Sequence, residues 1–286
     1  MLKNIKFVSE AYEVVRPVSV YLTCIVIVAC IMALVGQEGS ALAMGLVVAV
    51  IAGATVFQVR LAVKDLHGRS EDARQAAAEA ERHYVEVLRK VITFVERRDR
   101  HWRGHSQSVS ELAGRIARHM QLPERTCILL QLAGHLHDIG LLAIPEAHAS
   151  RNGRFGVEEF RSLQEHSEVS YQVLKPLVML SEVLPAIRSH HERMNGTGYP
   201  AGLVGEEIPL GGRILAVADA YDAMTHDRPQ RPAMDSLSAI RELRRCCPAG
   251  YDPTCVEALA ALLNIAALEE ASSRRRAACS VGAAAV

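Results

Sequence analysis

Two apolar runs without charge dominate the beginning of the chain. Residues 18–36 contain no Asp, Glu, Lys or Arg, and neither do residues 41–59. Each run approaches the about 20 residues that a helix needs to cross a bilayer. Because only residues 37–40 lie between the two runs, the pattern predicts a tight antiparallel pair of transmembrane helices within an amino-terminal segment, residues 1–64.

Cations flank this predicted hairpin on its outer sides and are missing from its turn. They are Lys3, Lys6 and Arg16 before the first run and Arg60, Lys64 and Arg69 after the second. Since Lys and Arg stay on the cytoplasmic side, we expect a two-pass membrane protein with both ends in the cytoplasm. A cleaved signal peptide is the alternative for the first run, and the second run directly after it disfavours that interpretation.

Residues 65–97 contain Ala, Glu and Arg in abundance and no proline, which predicts a helical linker. An apolar seam runs along it but weakens at residues 76–78. The pattern favours a plain linker, with a short dimeric coiled coil as the alternative that would make the protein a homodimer. The seam consists of Leu61, Leu66, Val85, Leu88, Ile92 and Val95.

Residues 98–265 show helical spacing of apolar side chains and no β-alternating run, so the predicted fold class is all-α. One helix follows His105, with Leu112, Ile116 and His119 on one face. Pro123 and Glu124 open a second helix that ends at His137 and Asp138. Further helices are expected at 158–174, 183–191, 214–224 and 237–243, and residues 266–286 are expected to form a disordered tail.

Charge and cysteine usage exclude some functions. Lys and Arg total 32 and Asp and Glu total 32, so the net charge is zero, which argues against DNA binding because neutralising phosphates needs a basic excess. The seven cysteines form no C-x-x-C pair. That usage fits a reducing compartment and predicts neither a disulfide framework nor a zinc–thiolate site.

The chain contains twelve histidines, and several fall at the ends of predicted helices. With two aspartates they form a set of nitrogen and oxygen donors that suits iron or manganese better than a structural zinc. Seven donors exceed what one ion needs, which predicts a pair of divalent ions about 3.5–4 Å apart, with Asp138 as the bridge. The donors are His105, His137, Asp138, His166, His190, His191 and Asp219.

The pair His137-Asp138, followed by Gly198-Tyr199-Pro200, resembles the HD-GYP family of cytoplasmic cyclic di-GMP phosphodiesterases, within the HD phosphohydrolase superfamily. The resemblance covers about residues 98 to 263, and the number of ordered blocks makes it specific. The other matching blocks are Gly104-His105-Ser106, Glu165-His166, His190-His191-Glu192-Arg193, residues 205–210, Ala218-Asp219 and Asp227-Arg228-Pro229.

The resemblance implies a helical HD-type domain that hydrolyses cyclic di-GMP to linear pGpG and onward to GMP. It makes the seven donors metal ligands, with His137 and Asp138 as the catalytic pair. It sets Gly198, Tyr199 and Pro200 in a loop beside the site, and it aligns Arg228 and Arg231 with positions that hold the substrate phosphates. A GGDEF-type or sensor partner is left open.

Three positions depart from the family pattern. Leu141 replaces the usual lysine after His-Asp-Ile-Gly, which would weaken stabilisation of the transition state. His101 stands where some members have a glutamate for a third metal ion, and Met194 replaces a common tryptophan. Two alternatives therefore stay open: a weak or inactive domain that acts as a cyclic di-GMP or metal-binding receptor or scaffold, and a hydrolase of another phosphoester or cyclic dinucleotide.

Two acidic residues near these motifs are given supporting roles. Glu192 is expected to orient a ligand histidine or to pair with Arg193. Asp222, one helical turn after Asp219, is expected to be a structural hydrogen-bond acceptor.

Overall fold

The computed structural model describes residues 25–30, 40–97, 102–144, 156–227, 232–268 and 270. Within these ranges the regular elements are α-helices and short 3-10 helices, and the described residues form no strand beyond an isolated bridge between Asn195 and Val204. The predicted all-α class is therefore confirmed. The chain divides into two compact units, residues 1–78 and residues 79–286.

The first unit contains most of a long helix, α1 (Ser40–Glu96), which includes the second apolar run. Most of the large apolar side chains described in this unit are exposed: Val48 is 61% accessible, Phe57 60% and Leu66 66%. This helix is long and apolar enough to cross a membrane. Of the first apolar run, only residues 25–30 are described, and they are helical. The stretch Glu124–Ala143 is also long and apolar enough to cross a membrane, but more than half of it is buried inside the helical domain.

The second unit begins inside the predicted linker. Val85 and Ile92 of α1 are buried, and Leu88 packs against the same core. Glu81 accepts hydrogen bonds from the backbone N–H groups of Val178 (3.3 Å) and Met179 (3.0 Å). The end of α1 is therefore part of the helical domain, and these three apolar residues of the predicted coiled-coil seam are used within the chain.

The remaining helices differ from the sequence prediction mainly at their ends. The third α-helix starts at Glu124 after Pro123, as predicted, and ends at Leu136. The predicted helix 158–174 is two helices that break at Glu165, and the predicted helix 183–191 is shorter. The sequence pattern does not separate the last helix of the domain from the rest. The elements are α2 (His105–His119), α3 (Glu124–Leu136), α4 (Val157–Gln164), α5 (His166–Leu174), α6 (Leu184–Arg188), α7 (Leu210–Thr225), α8 (Ser236–Cys246), α9 (Pro253–Leu262), and the 3-10 helices Ile139–Ala143, Val178–Leu180 and Gly205–Glu207.

The close packing of α2 on α3 decides where the polar residues meet. The connection between them is short, so the two helices run antiparallel and the start of α2 lies near the end of α3. Gly134 makes this approach possible, because a Cβ there would lie 2.9 Å from the Cα of Ser110. Ile116 and Leu130 are fully buried in the core, to which α7 contributes Ile214. This packing brings His105, at the start of α2, to the residues that follow α3.

Candidate metal centre

Three buried histidines follow helical turns, and each ring is held by a carbonyl three residues earlier in the chain. A carbonyl oxygen only accepts hydrogen bonds, so Nδ1 of each ring is the donor. In the neutral ring, Nε2 then carries a free lone pair, and the neutral imidazole is the form in which histidine binds a metal. The Nδ1–O distances are 2.8 Å from His137 to Gly134, 2.5 Å from His166 to Leu163 and 2.6 Å from His190 to Ile187.

His105 is held differently. Its Nδ1 lies 2.6 Å from Oδ2 of Asp222, a carboxylate that is 2% exposed and comes from α7. The predicted role of Asp222 as a hydrogen-bond acceptor is confirmed. Like the carbonyls, this carboxylate turns Nε2 of His105 toward the centre.

Asp138 lies between two pairs of histidines. Its Oδ2 is 3.3 Å from Nε2 of His137 and 3.6 Å from Nε2 of His105. Its Oδ1 is 3.2 Å from Nε2 of His166 and 3.6 Å from Nε2 of His190. Each oxygen of one carboxylate thus faces a different pair of nitrogens, which is the arrangement of a carboxylate that bridges two cations.

The structure brings six of the seven predicted donors together in two groups that share Asp138. Within each group, the potential ligand atoms lie within 4.8 Å of one another. Asp219 lies beside the first group, with its Oδ1 3.4 Å from Nε2 of His105. The groups are His105, His137 and Asp138, and Asp138, His166, His190 and His191.

The hydrogen bonding of these side chains fits bound cations. Among the residues that the structure describes, Nε2 of His105 and Nε2 of His137 have no hydrogen-bond partner, although both are buried. Nε2 of His166 and Nε2 of His190 lie 3.3 Å apart, each on a ring whose proton is already used at Nδ1. A buried polar atom without a partner costs about 1–3 kcal/mol, and a divalent cation would satisfy these nitrogens.

The electrostatics of the two groups differ. Burial lowers the pKa of His105, but Asp138, Asp222 and Asp219 outweigh it and raise that pKa to about 10. Burial, together with the neighbouring rings of His190 and His166, holds the pKa of His191 well below its usual value. The carboxylates around His105 therefore favour positive charge, and an ion bound there would have to displace a proton.

Tyr199 forms one wall of this centre. Its ring centroid lies 4.8 Å from the ring of His191 and 6.3 Å from that of His166. Gly198 permits the approach, because a Cβ there would lie 2.4 Å from the Cα of Glu192. Burial raises the pKa of the Tyr199 hydroxyl, with Asp138 and Asp219 adding to the shift, so the hydroxyl is a hydrogen-bond donor at neutral pH.

Glu192 holds this loop, which corrects the role expected from the sequence. Glu192 is 2% exposed, and its carboxylate accepts three backbone N–H groups, from Ala201 at 2.7 Å, Gly202 at 3.1 Å and Leu203 at 3.1 Å. The described contacts of this carboxylate are with the loop that carries Tyr199. Arg193 instead donates to the backbone oxygen of Glu192 and lies over the ring of Tyr251.

Ser170 is a supporting residue that sequence reasoning missed. Its hydroxyl donates to the carbonyl of His137 (2.6 Å) and accepts the N–H of Gly140 (2.9 Å). Gly140 packs directly on the backbone of α5, where a Cβ would collide with the carbonyl oxygen of His166. A small residue directly after His-Asp-Ile was the only available signal. The segment of Asp138 is thereby tied to the helix of His166.

Three predicted residues lie outside the described part of the chain: Arg228, Arg231 and His101. Leu141 lies in the 3-10 helix Ile139–Ala143 and is half-buried.

The chain is similar to known proteins over this domain. The sequence profile described as "HD domain" matches residues 89–255. A protein of Thermotoga maritima named cyclic di-GMP phosphodiesterase is 35% identical over 199 residues, covering 68% of this chain and 54% of that protein. A Vibrio cholerae protein named 3'3'-cGAMP-specific phosphodiesterase 3 is 35% identical over 162 residues, covering 57% of this chain and 35% of that protein. The chain thus spans about half the length, or less, of these curated relatives.

A solved structure shares the fold. The protein described as "a HDG"Y"P protein" from Bdellovibrio bacteriovorus superposes with a TM-score of 0.50 at 18% identity, covering 65% of this chain and 64% of that one. At this identity the likeness concerns the fold alone. The profile match extends over more than half of the chain and includes every residue of the candidate metal centre. The chain therefore belongs to the HD domain family.

Proposed function

We propose that this protein is a metal-dependent phosphodiesterase that opens cyclic di-GMP to linear pGpG and continues to GMP. The observation that carries the proposal is the position of Asp138, whose two oxygens face separate pairs of buried histidine nitrogens. Such a pair of sites suits phosphoester hydrolysis with two metals. The name of the Thermotoga maritima relative supports cyclic di-GMP as the substrate.

The proposed roles follow from the contacts. The seven donors would hold two divalent ions, iron or manganese, with His101 as a candidate for a third. Bound ions would act as Lewis acids on phosphate oxygens. They would also lower the pKa of a bound water, which would serve as the nucleophile. Asp222 fixes the ring of His105. Tyr199 offers an aromatic face and a donor hydroxyl beside the centre, and Arg228 and Arg231 would grip phosphate oxygens as guanidinium forks.

A second cyclic dinucleotide is the nearest rival substrate, because three Vibrio cholerae relatives are named 3'3'-cGAMP-specific phosphodiesterases. The test is turnover by the full chain, purified without oxygen and loaded with Fe²⁺ or Mn²⁺. Cyclic di-GMP and 3'3'-cGAMP are supplied separately, and linear products are separated by chromatography. Faster hydrolysis of cyclic di-GMP supports the proposal, and a clear preference for 3'3'-cGAMP contradicts its substrate assignment.

Leu141 favours a second function, that of a receptor or scaffold that binds cyclic di-GMP and metal with little hydrolysis. The side chain lies three positions after Asp138 and has no charge to offer a phosphate. Leu141→Lys should raise turnover several-fold if the missing ammonium limits the reaction. Binding of cyclic di-GMP without linear product, in both the wild type and Leu141→Lys, would favour the receptor.

We propose further that the protein is anchored in the bacterial inner membrane with the HD domain in the cytoplasm, where it acts in signalling. Support comes from the exposed apolar side chains of α1, such as Val48 and Phe57, and from the cations outside both apolar runs. Resistance to carbonate extraction tests the anchoring. Recovery in the soluble fraction would contradict it.

A further inference from the structure

Glu96 is the last residue of α1, and its carboxylate is buried against the start of α2. Oε1 of Glu96 accepts the backbone N–H of Ser106 at 2.8 Å, and Glu96 is only 9% exposed. Ser106 directly follows His105, the first residue of α2. The contact thus lies one residue from a donor of the candidate metal centre.

The sequence of α2 explains why it uses an acceptor from another helix. The first N–H groups of a helix have no partner within the helix and are normally satisfied by a side chain at the N-cap. The N-cap here is Gly104, at φ 81°, which has no side chain. The carboxylate of Glu96 fills that role and adds a negative charge where the helix dipole favours one.

The position of the His105 ring depends on where α2 begins. Its ring is fixed on one side by Asp222 of α7, while Nε2 lies 3.4 Å from Asp219 and 3.6 Å from Asp138. A shift of the first turn of α2 would move Nε2 relative to both carboxylates. Displacements of about 1 Å are enough to weaken a preorganised site.

We propose that Glu96 is a positioning residue that couples α1 to the metal centre through Ser106 and His105. Movement or rotation of the end of α1 then alters the affinity of the centre for the ion on the His105 side. The inference rests on the proposed metal site and deepens it, since it names the route by which α1 regulates that site.

The chain provides a matched control on the same helix. Glu81 also accepts backbone N–H groups at the start of a helical segment, those of Val178 and Met179. Neither residue is among the seven donors or next to one in sequence. Glu81→Ala therefore removes a comparable carboxylate from α1 without touching the proposed route.

The experiment compares Glu96→Ala with Glu81→Ala in the full chain. Mn²⁺ affinity and stoichiometry are measured by calorimetry, and thermal unfolding is measured without metal. Both variants should lower the unfolding temperature. Glu96→Ala should weaken Mn²⁺ binding about 10- to 100-fold at one of two sites, as changes to residues that support ligands typically do. Glu81→Ala should leave the affinity within about twofold.

If Glu96→Ala prevents folding, the less disruptive variants Glu96→Gln and Glu81→Gln provide the same comparison. The amide oxygen of Glu96→Gln still accepts the N–H of Ser106, so this variant should lose less affinity than alanine and more than Glu81→Gln. Equal affinities for the Glu96 and Glu81 variants would overturn the inference while leaving the proposed function intact. A wild type that binds no Mn²⁺ would overturn both.

Discussion

The two halves of the candidate metal centre are held in place by different means. On one side, the rings of His166 and His190 are fixed by carbonyls three residues earlier in their own segments. On the other, the ring of His105 is fixed by Asp222, 117 residues away, and the start of its helix is held by Glu96. The rings of the first half are oriented by their own turns, whereas the ring of His105 needs α1, α2 and α7 to pack correctly. A perturbation of packing should therefore empty the His105 side first.

The largest effect is expected from Asp138, because it belongs to both halves. Asp138→Asn replaces one oxygen with an amide nitrogen that cannot bind a cation and removes the negative charge, so binding of both ions should weaken. We expect turnover to fall by at least about a thousandfold, the scale on which catalytic groups act. Turnover of cyclic di-GMP and bound metal per chain are the measurements. If only one ion is lost and activity is retained, Asp138 does not bridge the two ions.

The difference between the two halves of the metal centre is tested at Asp222. Asp222→Asn weakens the hold on Nδ1 of His105 while the carbonyls that hold His166 and His190 are unchanged. We expect about 10- to 100-fold weaker binding of one ion and unchanged binding of the other, measured by calorimetry with Mn²⁺. Asp235→Asn is the control, since Asp235 caps α8 through Ser238 away from the centre. Equal loss at both sites would show that the halves are not independent.

A smaller effect is expected on the side of His166 and His190, where Glu192 holds the loop of Tyr199. Glu192→Gln places an amide donor against one of three backbone N–H groups, so the loop should loosen. We expect kcat/KM for cyclic di-GMP to fall about tenfold while Mn²⁺ affinity changes little, a loss of about 1.4 kcal/mol. The control is Glu207→Gln, because exposed Glu207 accepts a single N–H, from Val204, at 2.9 Å. Similar losses in both variants would argue against a role for the buried carboxylate.

The smallest effect concerns stability, at His135 in the last turn of α3. Burial lowers its pKa to about 4, and the nearby charge of Arg89 adds to the shift. The unfolded state then binds a proton more readily than the folded state, so this residue costs stability as the pH falls below about 6.5. Between pH 7 and pH 6 the cost is about 0.7 kcal/mol. His135→Leu should lose that much less stability than the wild type in urea unfolding.

Exposed His119 gives the matched variant for this measurement. His119→Leu controls for the loss of an exposed imidazole, and identical pH dependence for His135→Leu and His119→Leu would contradict the assignment.

The sequence alone determined the helical class and the start of α3 at Pro123-Glu124, because apolar spacing and proline placement are written in neighbouring residues. It also predicted the seven candidate donors, from ligand chemistry and the family resemblance. The tertiary structure decided what depends on segments far apart in the chain. It paired His105 with Asp222, directed Glu192 to the loop of Tyr199, and turned Val85 and Ile92 of α1 into the domain core. A helix with several apolar faces does not specify its partner. A buried carboxylate accepts whichever N–H groups the packing brings to it, so these choices follow from the fold as a whole.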